Sequence, residues 1–300
     1  MPYASGSRGE RSKQGGPRIP SAIDYGRLSV LTGESANLVV CGGCLPIAEF
    51  GEEIAVQHDL DIRWDTASER NLRAVNADAV ATRRDPASGE LVLAVADGIG
   101  DTTRVAEAAR KAVTAAVATP VEQGAIQAML AAQQALLLDE EDCVLVVAMP
   151  FTDRVSSGYR IAWVGDCRAY LWDDQALHQL TSDQTVAAYL RSQLRPTTPR
   201  MEHIVTNTVR TTSTDQIGWT QVRTNGSGLL LATDGVHKVV PANAMHRELT
   251  SAARPAQALT DAASALGGRD NASAAVIDWT AARREPPPVA RLGNPPLVHQ

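Results

Sequence analysis

At 300 residues and 44% hydrophobic content the chain can bury a large core, and a formal charge of −6 supplies no broad basic surface, which argues against nucleic acid or an anionic membrane as a main partner. Four cysteines in this length do not make a disulfide framework. No stretch approaches the ~18 uninterrupted apolar residues of a spanning helix, so a soluble, cytoplasmic protein is expected.

Residues 1–20 are polar, rich in Gly, Ser and Arg, and lack the apolar core of a secretory signal; they read as a disordered leader. Residues 21–53 form an N-terminal extension with no clear pattern. Within it, Cys41-Gly-Gly-Cys44 invites a redox or zinc reading. It has neither the four ligands of a structural zinc nor the βαβ setting of a thioredoxin-like site, so plain thiols in a Gly-rich turn are expected.

One folded domain is expected over residues 54–280. Apolar and β-branched residues predict a strand at Ile54–Trp64, and Glu90–Ala96 reads as a strand covered on both faces. Helices are predicted at Thr103–Ala118, which is Ala-rich, and at Val121–Leu138, where Pro120 suits a helix start. Strands return at Cys143–Met149, Tyr159–Val164 and Arg168–Trp172, and a turn at Asp173-Asp174 leads into Ala176–Leu180. Thr185–Leu194 reads as a short helix and the polar, Thr-rich stretch Arg195–Asp215 as a loop or small flap. Ile217–Arg223 and Gly228–Ala232 are predicted strands, Pro255–Leu266 a helix stopped by Gly267, and Ala272–Trp279 a last strand. Residues 281–300 are Pro-rich and read as a disordered, extended tail. Grouping strands with strands and helices with helices predicts an α+β architecture, two packed antiparallel β-sheets flanked by helices on both outer faces.

Three aspartates carry the chemical signal: Asp97 in LVLAVADGIG, Asp234 in GLLLATDGV and Asp270 in GGRDNASAAV. A hydrophobic strand that stops at Asp-Gly delivers a carboxylate to the rim of a sheet. One such dipeptide is only a turn signal. Three, with Asp78 and Asp166 as further candidates, make an all-oxygen set suited to a hard cation such as Mg²⁺ or Mn²⁺. Two divalent ions sharing a carboxylate and a water can drive in-line displacement at phosphorus, so phosphate-ester hydrolysis is the natural outcome. Arg73, five residues before Asp78, is placed to hold the substrate phosphate.

The motifs R-x-x-N-x-D-A (Arg73–Ala79), A-D-G-I-G (Ala96–Gly100), V-G-D-C-R-A-Y (Val164–Tyr170), L-T-S-D-Q (Leu180–Gln184), A-T-D-G-V (Ala232–Val236) and G-G-R-D-N (Gly267–Asn271) occur in an order and spacing that resembles the metal-dependent PPM family of protein Ser/Thr phosphatases, the type 2C fold. The resemblance spans about Ala55 to Trp279. It implies a β-sandwich with a metal pair at one edge and a water, bridging the ions, that attacks phosphoserine or phosphothreonine without a covalent phosphoenzyme. Asp97 matches the bridging ligand, the Gly98 carbonyl a ligand of one ion, and Asp234 and Asp270 carboxylates on the other. Asp78 matches the acidic position tied to the metal site, and with Asp97 it forms the catalytic pair. Arg73 matches the phosphate-binding arginine, and Asn271 a residue that orders the Asp270 loop from behind. Asp166 matches a residue that in bacterial-type members can hold a third, weaker ion, so the expected complement is two ions of Mn²⁺ or Mg²⁺ with room for a third. The implied partner is a phosphorylated protein, met by a monomer.

The chain also departs from the pattern. Ala77 stands at an often acidic position, Ile99 where some members carry histidine, Asp101 in place of a second glycine, Cys167 in place of serine and Gln184 in place of a frequent histidine. These changes motivate a second reading, a pseudophosphatase that binds a phosphoprotein or regulatory partner. A redox or zinc regulator built on Cys41 and Cys44 is a distant third. For His178, His203 and His237, a solvated or hydrogen-bonded imidazole is the expectation, with a supporting role behind Asp234 the alternative for His237.

Overall fold

The computed structural model describes residues 63–137, 141–153, 157–224 and 227–279. The leader, the extension with Cys41 and Cys44, and the Pro-rich tail lie outside these, as does most of the strand expected at Ile54–Trp64. In chain order the strands are β1 (Arg63–Glu69), β2 (Ala79–Arg84), β3 (Leu91–Gly98), β4 (Cys143–Thr152), β5 (Ser157–Val164), β6 (Arg168–Trp172), β7 (Leu177–Gln179), β8 (Gly218–Arg223), β9 (Gly228–Ala232) and β10 (Ala272–Asp278). The helices are α1 (Thr103–Ala118), α2 (Gly124–Leu136), α3 (Val186–Ser192), α4 (Asp234–His237), α5 (Ala242–Ser251) and α6 (Pro255–Ala265).

The strands form two five-stranded sheets, ordered β1-β10-β9-β6-β7 and β2-β3-β4-β5-β8, and every recorded pairing is antiparallel. Period-2 alternation explains the layers. In β3, Leu91, Leu93 and Val95 join a core between the sheets with Leu229 and Leu231 of β9 and Ala275 and Ile277 of β10. The intervening Val92, Ala94 and Ala96 face the other way, against alanines of α1 and α2. Leu230 of β9 and Val276 of β10 likewise face outward, against Met245 and Leu249 of α5 and Leu259 of α6. A strand buried on both faces must read as a continuous apolar run, which is why β3, β4 and β9 were legible.

Local chemistry accounts for the outer layers. Helix α1 starts where the Thr102 hydroxyl accepts the Val105 N–H at 3.2 Å, and its Ala108, Ala109, Ala112 and Ala116 are small enough to bring the helix close to the sheet. Three elements differ from expectation. The described part of the first strand is Arg63–Glu69, reaching further than residue 64 because its half-exposed sequence RWDTASE is held by pairing with β10. Strand β2, AVATRR, is recruited by β3 through register rather than by its own pattern. Helix α5 buries only Met245 and Leu249, an apolar stripe too thin to stand out in the sequence. In addition, Val121–Gln123 is a separate 3₁₀ turn, so α2 begins at Gly124. No helix among the described residues is long and apolar enough to cross a membrane.

The sheet topology also decides where the candidate residues meet. Asp78 precedes β2, Asp97 ends β3, Asp166 links β5 to β6, Asp234 follows β9 and Asp270 precedes β10. Because the pairings are antiparallel, all five points fall at one end of the sandwich.

Candidate active site

Asp97 continues the Leu91, Leu93, Val95 alternation and so lies on the inner face of its sheet, at the open end of the core between the sheets. Asp78 is in phase with Val80, which packs on the same inner core. Gly98 follows at close quarters: a β-carbon there would meet Val105 Cγ1 at 2.5 Å and the Ala77 carbonyl at 2.8 Å. Any larger residue would push apart the segments that carry Asp78 and Asp97. Ala77, buried, fills the same tight spot, so its departure from an acidic residue is matched by packing.

The carboxylates crowd one another. Burial pushes Asp97 well above the usual carboxylate range, and the charges of Asp78, Asp234, Asp166 and Asp270 push it further. Asp78 is pushed up to about 7, first by burial and also by Asp234 and Asp270, against the opposing hydrogen bonds of Ser273 and Thr233. The Thr233 hydroxyl donates to Asp78 Oδ2 at 2.9 Å and accepts the Ser273 N–H at 3.0 Å, which fixes Asp78 from below. Sequence reasoning passed over Thr233 and Ser273; their alternation with the inner-face leucines and alanines of β9 and β10 was the available signal.

Two cations of the chain itself enter this cluster. Arg73 donates to Asp270 Oδ2 at 2.8 Å, so the expected phosphate-binding arginine is tied to an expected metal ligand, with its side chain still 40% exposed. Lys238 contacts Asp166 at 2.6 Å and Asp234 at 3.0 Å. Burial opposes its charge, but Asp234 and Asp166 outweigh burial and hold the ammonium above the ordinary lysine range. Lys238 was also missed, and only the i,i+4 spacing from Asp234 hinted at it. His203 Nδ1 stands 3.6 Å from Asp234 Oδ2. His237 is buried and donates from Nε2 to the Asp166 carbonyl at 2.9 Å; burial, with the charge of Arg168, depresses it to about 4, so it is neutral.

A polar frame holds the rim. The Asn271 amide donates to the carbonyls of Arg70 at 2.9 Å and Val75 at 3.1 Å, and its oxygen accepts the Ala77 N–H at 2.8 Å. One side chain therefore ties the Asp270 loop to the whole 70–77 loop. Asp101 accepts the N–H groups of Ala74 at 3.3 Å and Val75 at 3.0 Å, capping the loop that carries Arg73. Gln184 accepts the Gly165 N–H at 2.9 Å and donates to the Gln216 carbonyl at 2.8 Å, bracing the turn before Asp166. Cys167 is buried, and burial pushes its thiol well up, so it is an inert packing residue. Ile99 is exposed at the rim. A groove of about 330 Å³, lined by Thr66, Ser68, Asp78, Ala79 and Arg110 among others, adjoins the cluster.

The residues fit a divalent cation. Asp78 Oδ1 and Asp234 Oδ1 are buried with no hydrogen-bond partner, and four like charges surround Asp97; both costs vanish when a hard cation accepts those oxygens. Among the described residues no three Asp, Glu, His or Cys side chains already form a complete metal-holding group. Arg73 and Lys238 each draw a carboxylate oxygen to themselves. The Asp166 carboxylate in particular is engaged by Lys238 at 2.6 Å.

A pH dependence follows for metal-free protein. Between the ordinary value of 3.8 and about 7, folded Asp78 keeps a proton that the unfolded chain releases, so stability falls as pH rises through this window. His237, depressed from 6.5 to about 4, works the other way over most of that range, while Asp97 and Asp166, both raised, add to the fall. With three groups against one, the thermal midpoint of EDTA-treated protein should drop from about pH 4 to about pH 7, and Mn²⁺ should restore most at the upper end. Thermal-shift scans check this, and a midpoint that climbs over the same range in EDTA would contradict it.

The family model described as protein phosphatase 2C matches residues 67–275. Among solved structures, the serine/threonine phosphatase PstP/Ppp of Mycobacterium tuberculosis aligns with a TM-score of 0.62 at 23% identity, covering 72% of this chain and 98% of that one. The serine/threonine phosphatase Stp1 of Staphylococcus aureus aligns with a TM-score of 0.64 at 20% identity, covering 76% and 98%. The catalytic domain of PstP in complex with two manganese ions aligns with a TM-score of 0.58 at 24% identity, covering 72% and 97%. These likenesses establish the shared fold. A search of curated protein sequences finds no match.

Proposed function

The chain belongs to the protein phosphatase 2C family, and we propose from that premise that it hydrolyses phosphoserine and phosphothreonine in proteins with two Mn²⁺ or Mg²⁺ ions held by Asp78, Asp97, the Gly98 carbonyl, Asp234 and Asp270. The observation that carries this reading is the convergence of the carboxylates at one end of the sandwich, with buried oxygens of Asp78 and Asp234 left unpartnered. The two manganese ions of the PstP catalytic domain support the same complement. When bound, such ions acidify a water so that it can attack phosphorus at neutral pH, and they offset charge on the leaving oxygen.

The chain's own side chains prepare this reaction. Thr233, itself held by the Ser273 N–H, fixes Asp78 in place, and Asn271 sets the Asp270 loop against the loop bearing Arg73. Arg73 is exposed enough for a phosphate to reach its guanidinium, and Asp101 and Asp270 limit the orientations of the loop and side chain. A preoriented fork suits a phosphate dianion. The net charge of −6 argues against nucleic acid or an anionic membrane as a main partner, membership of the phosphatase family supports a phosphoprotein substrate, and we take the protein to act in the cytoplasm as a monomer.

No observation favours the pseudophosphatase reading. Ala77 is absorbed by packing against Gly98, Asp101 by capping the Arg73 loop and Gln184 by bracing the Asp166 turn. Phosphate release from a phosphothreonine peptide, measured with Mn²⁺ and with EDTA, tests the proposal: turnover that vanishes in chelator is expected, and equal turnover in both would refute it. Arg73→Ala should raise KM for p-nitrophenyl phosphate by roughly tenfold or more with a smaller change in kcat, the pattern of lost phosphate binding. Steady-state kinetics decide that, and an unchanged KM would remove Arg73 from the phosphate site.

A further inference from the structure

Lys238 lies one helical turn beyond Asp234, at the end of α4. Its Nζ donates to Asp166 Oδ2 at 2.6 Å, to the Glu202 carbonyl at 2.9 Å and to Asp234 Oδ2 at 3.0 Å. The side chain is only 17% exposed, and that of Asp166 5%. Two carboxylates and a main-chain carbonyl around one point are the donors a hard divalent cation takes. Here the cation belongs to the chain.

We propose that Lys238 is a resident cation which fills the oxygen cage of Asp166, Asp234 and the Glu202 carbonyl, so that this chain binds divalent ions beside Asp97 and none at Asp166. The inference rests on the two-ion reading above and narrows it. Three physical arguments support it. An ammonium and a metal ion cannot share the cage, because like charges a few ångströms apart repel strongly away from bulk water. A tethered ammonium also competes at an effective concentration of the order of millimolar or more. Finally, Lys238 takes Asp234 Oδ2, while Asp234 Oδ1 stays buried and unpartnered, which divides one carboxylate between the resident cation and an incoming ion.

The same cage ties in the segment expected as a flap. Glu202 belongs to the 3₁₀ turn Pro199–His203, its carboxylate pairs with Arg191 of α3 at 3.0 Å, and its carbonyl accepts from Lys238. Lys238 is thus a positioning residue that links the flap to the metal rim, a strut that an exchangeable ion would make dependent on metal concentration.

Counting bound Mn²⁺ per full-length chain, by equilibrium dialysis followed by elemental analysis, tests the proposal without reference to activity. Wild type and Asp166→Asn should both hold two ions. Lys238→Ala should hold three and return to two in the Lys238→Ala/Asp166→Asn double variant. In thermal-shift scans Lys238→Ala should lose stability in EDTA and gain more from Mn²⁺ than wild type does. Three ions in wild type with one lost in Asp166→Asn would overturn the inference while leaving the two-ion reading standing; so would Lys238→Ala remaining at two. No bound ion in wild type would sink the two-ion reading itself, and the inference with it. Should Lys238→Ala fail to fold, the wild-type and Asp166→Asn counts decide alone.

Discussion

Asp97→Asn should lower kcat by roughly a thousandfold or more while leaving the protein folded. The substitution keeps the shape of the side chain and removes its charge at the point where Asp78, Asp166, Asp234 and Asp270 act together. In metal-free protein that charge is a burden, because burial and four neighbouring carboxylates all oppose it. Thermal stability in EDTA should therefore be equal to or above that of wild type. With Mn²⁺ the order reverses, since stabilisation by a ligand scales with its affinity for the folded state and an amide is a poorer ligand than a carboxylate. Kinetics with p-nitrophenyl phosphate and paired thermal-shift scans read both effects. Near wild-type turnover would eliminate Asp97 as a bridging ligand, and a loss of turnover accompanied by unfolding in EDTA would locate its role in stability instead.

Gly235→Ala carries the second large effect, and its direction runs against local propensity. In a helix, alanine is ordinarily the better residue by about 1 kcal/mol. At this position a β-carbon would meet the Asn271 carbonyl oxygen at 1.9 Å, its carbon at 2.8 Å and Ala272 Cα at 3.2 Å. All three are backbone atoms, so no rotamer change relieves the clash. The chain must either accept overpacking that costs about 3 kcal/mol or more, or move the Asp234 segment away from the one behind Asp270. Both carry expected ligands of one ion, so the second route weakens metal binding. The variant should show a lower urea midpoint and a weaker Mn²⁺ dissociation constant by titration calorimetry; wild-type values for both would show that the two segments are not held in register by this contact.

Much of the scaffold was legible before any coordinates, and for reasons that differ by element. Strands β3, β4 and β9 are covered on both faces and advertise themselves as apolar runs, while α1 does so by alanine content and period. Strand β2 and helix α5 are stabilised by what they pack against, so their sequences AVATRR and ANAMHRELTS carry little sign of it. Asp97 and Asp234 were visible because an aspartate followed by glycine ends a strong strand. The roles of Thr233, Ser273 and Gly235 were not, since each acts through atoms distant in the chain, such as the Asp78 carboxylate 155 residues from Thr233.

From the sequence alone came the catalogue of chemistry: an acidic chain, six motifs in family order, and oxygen donors at strand ends where a hard cation would be held. Those are properties of single residues and short windows, which local physics suffices to read. The tertiary structure decided which charges answer which. Arg73 reaches Asp270 across 197 residues of sequence and Lys238 reaches Asp166 across 72. Sheet register and the packing of the two sheets set both pairings, so no local pattern records them. The third-ion position expected at Asp166 turned out to face a lysine for that reason: whether a carboxylate is open to a metal depends on what the fold brings beside it.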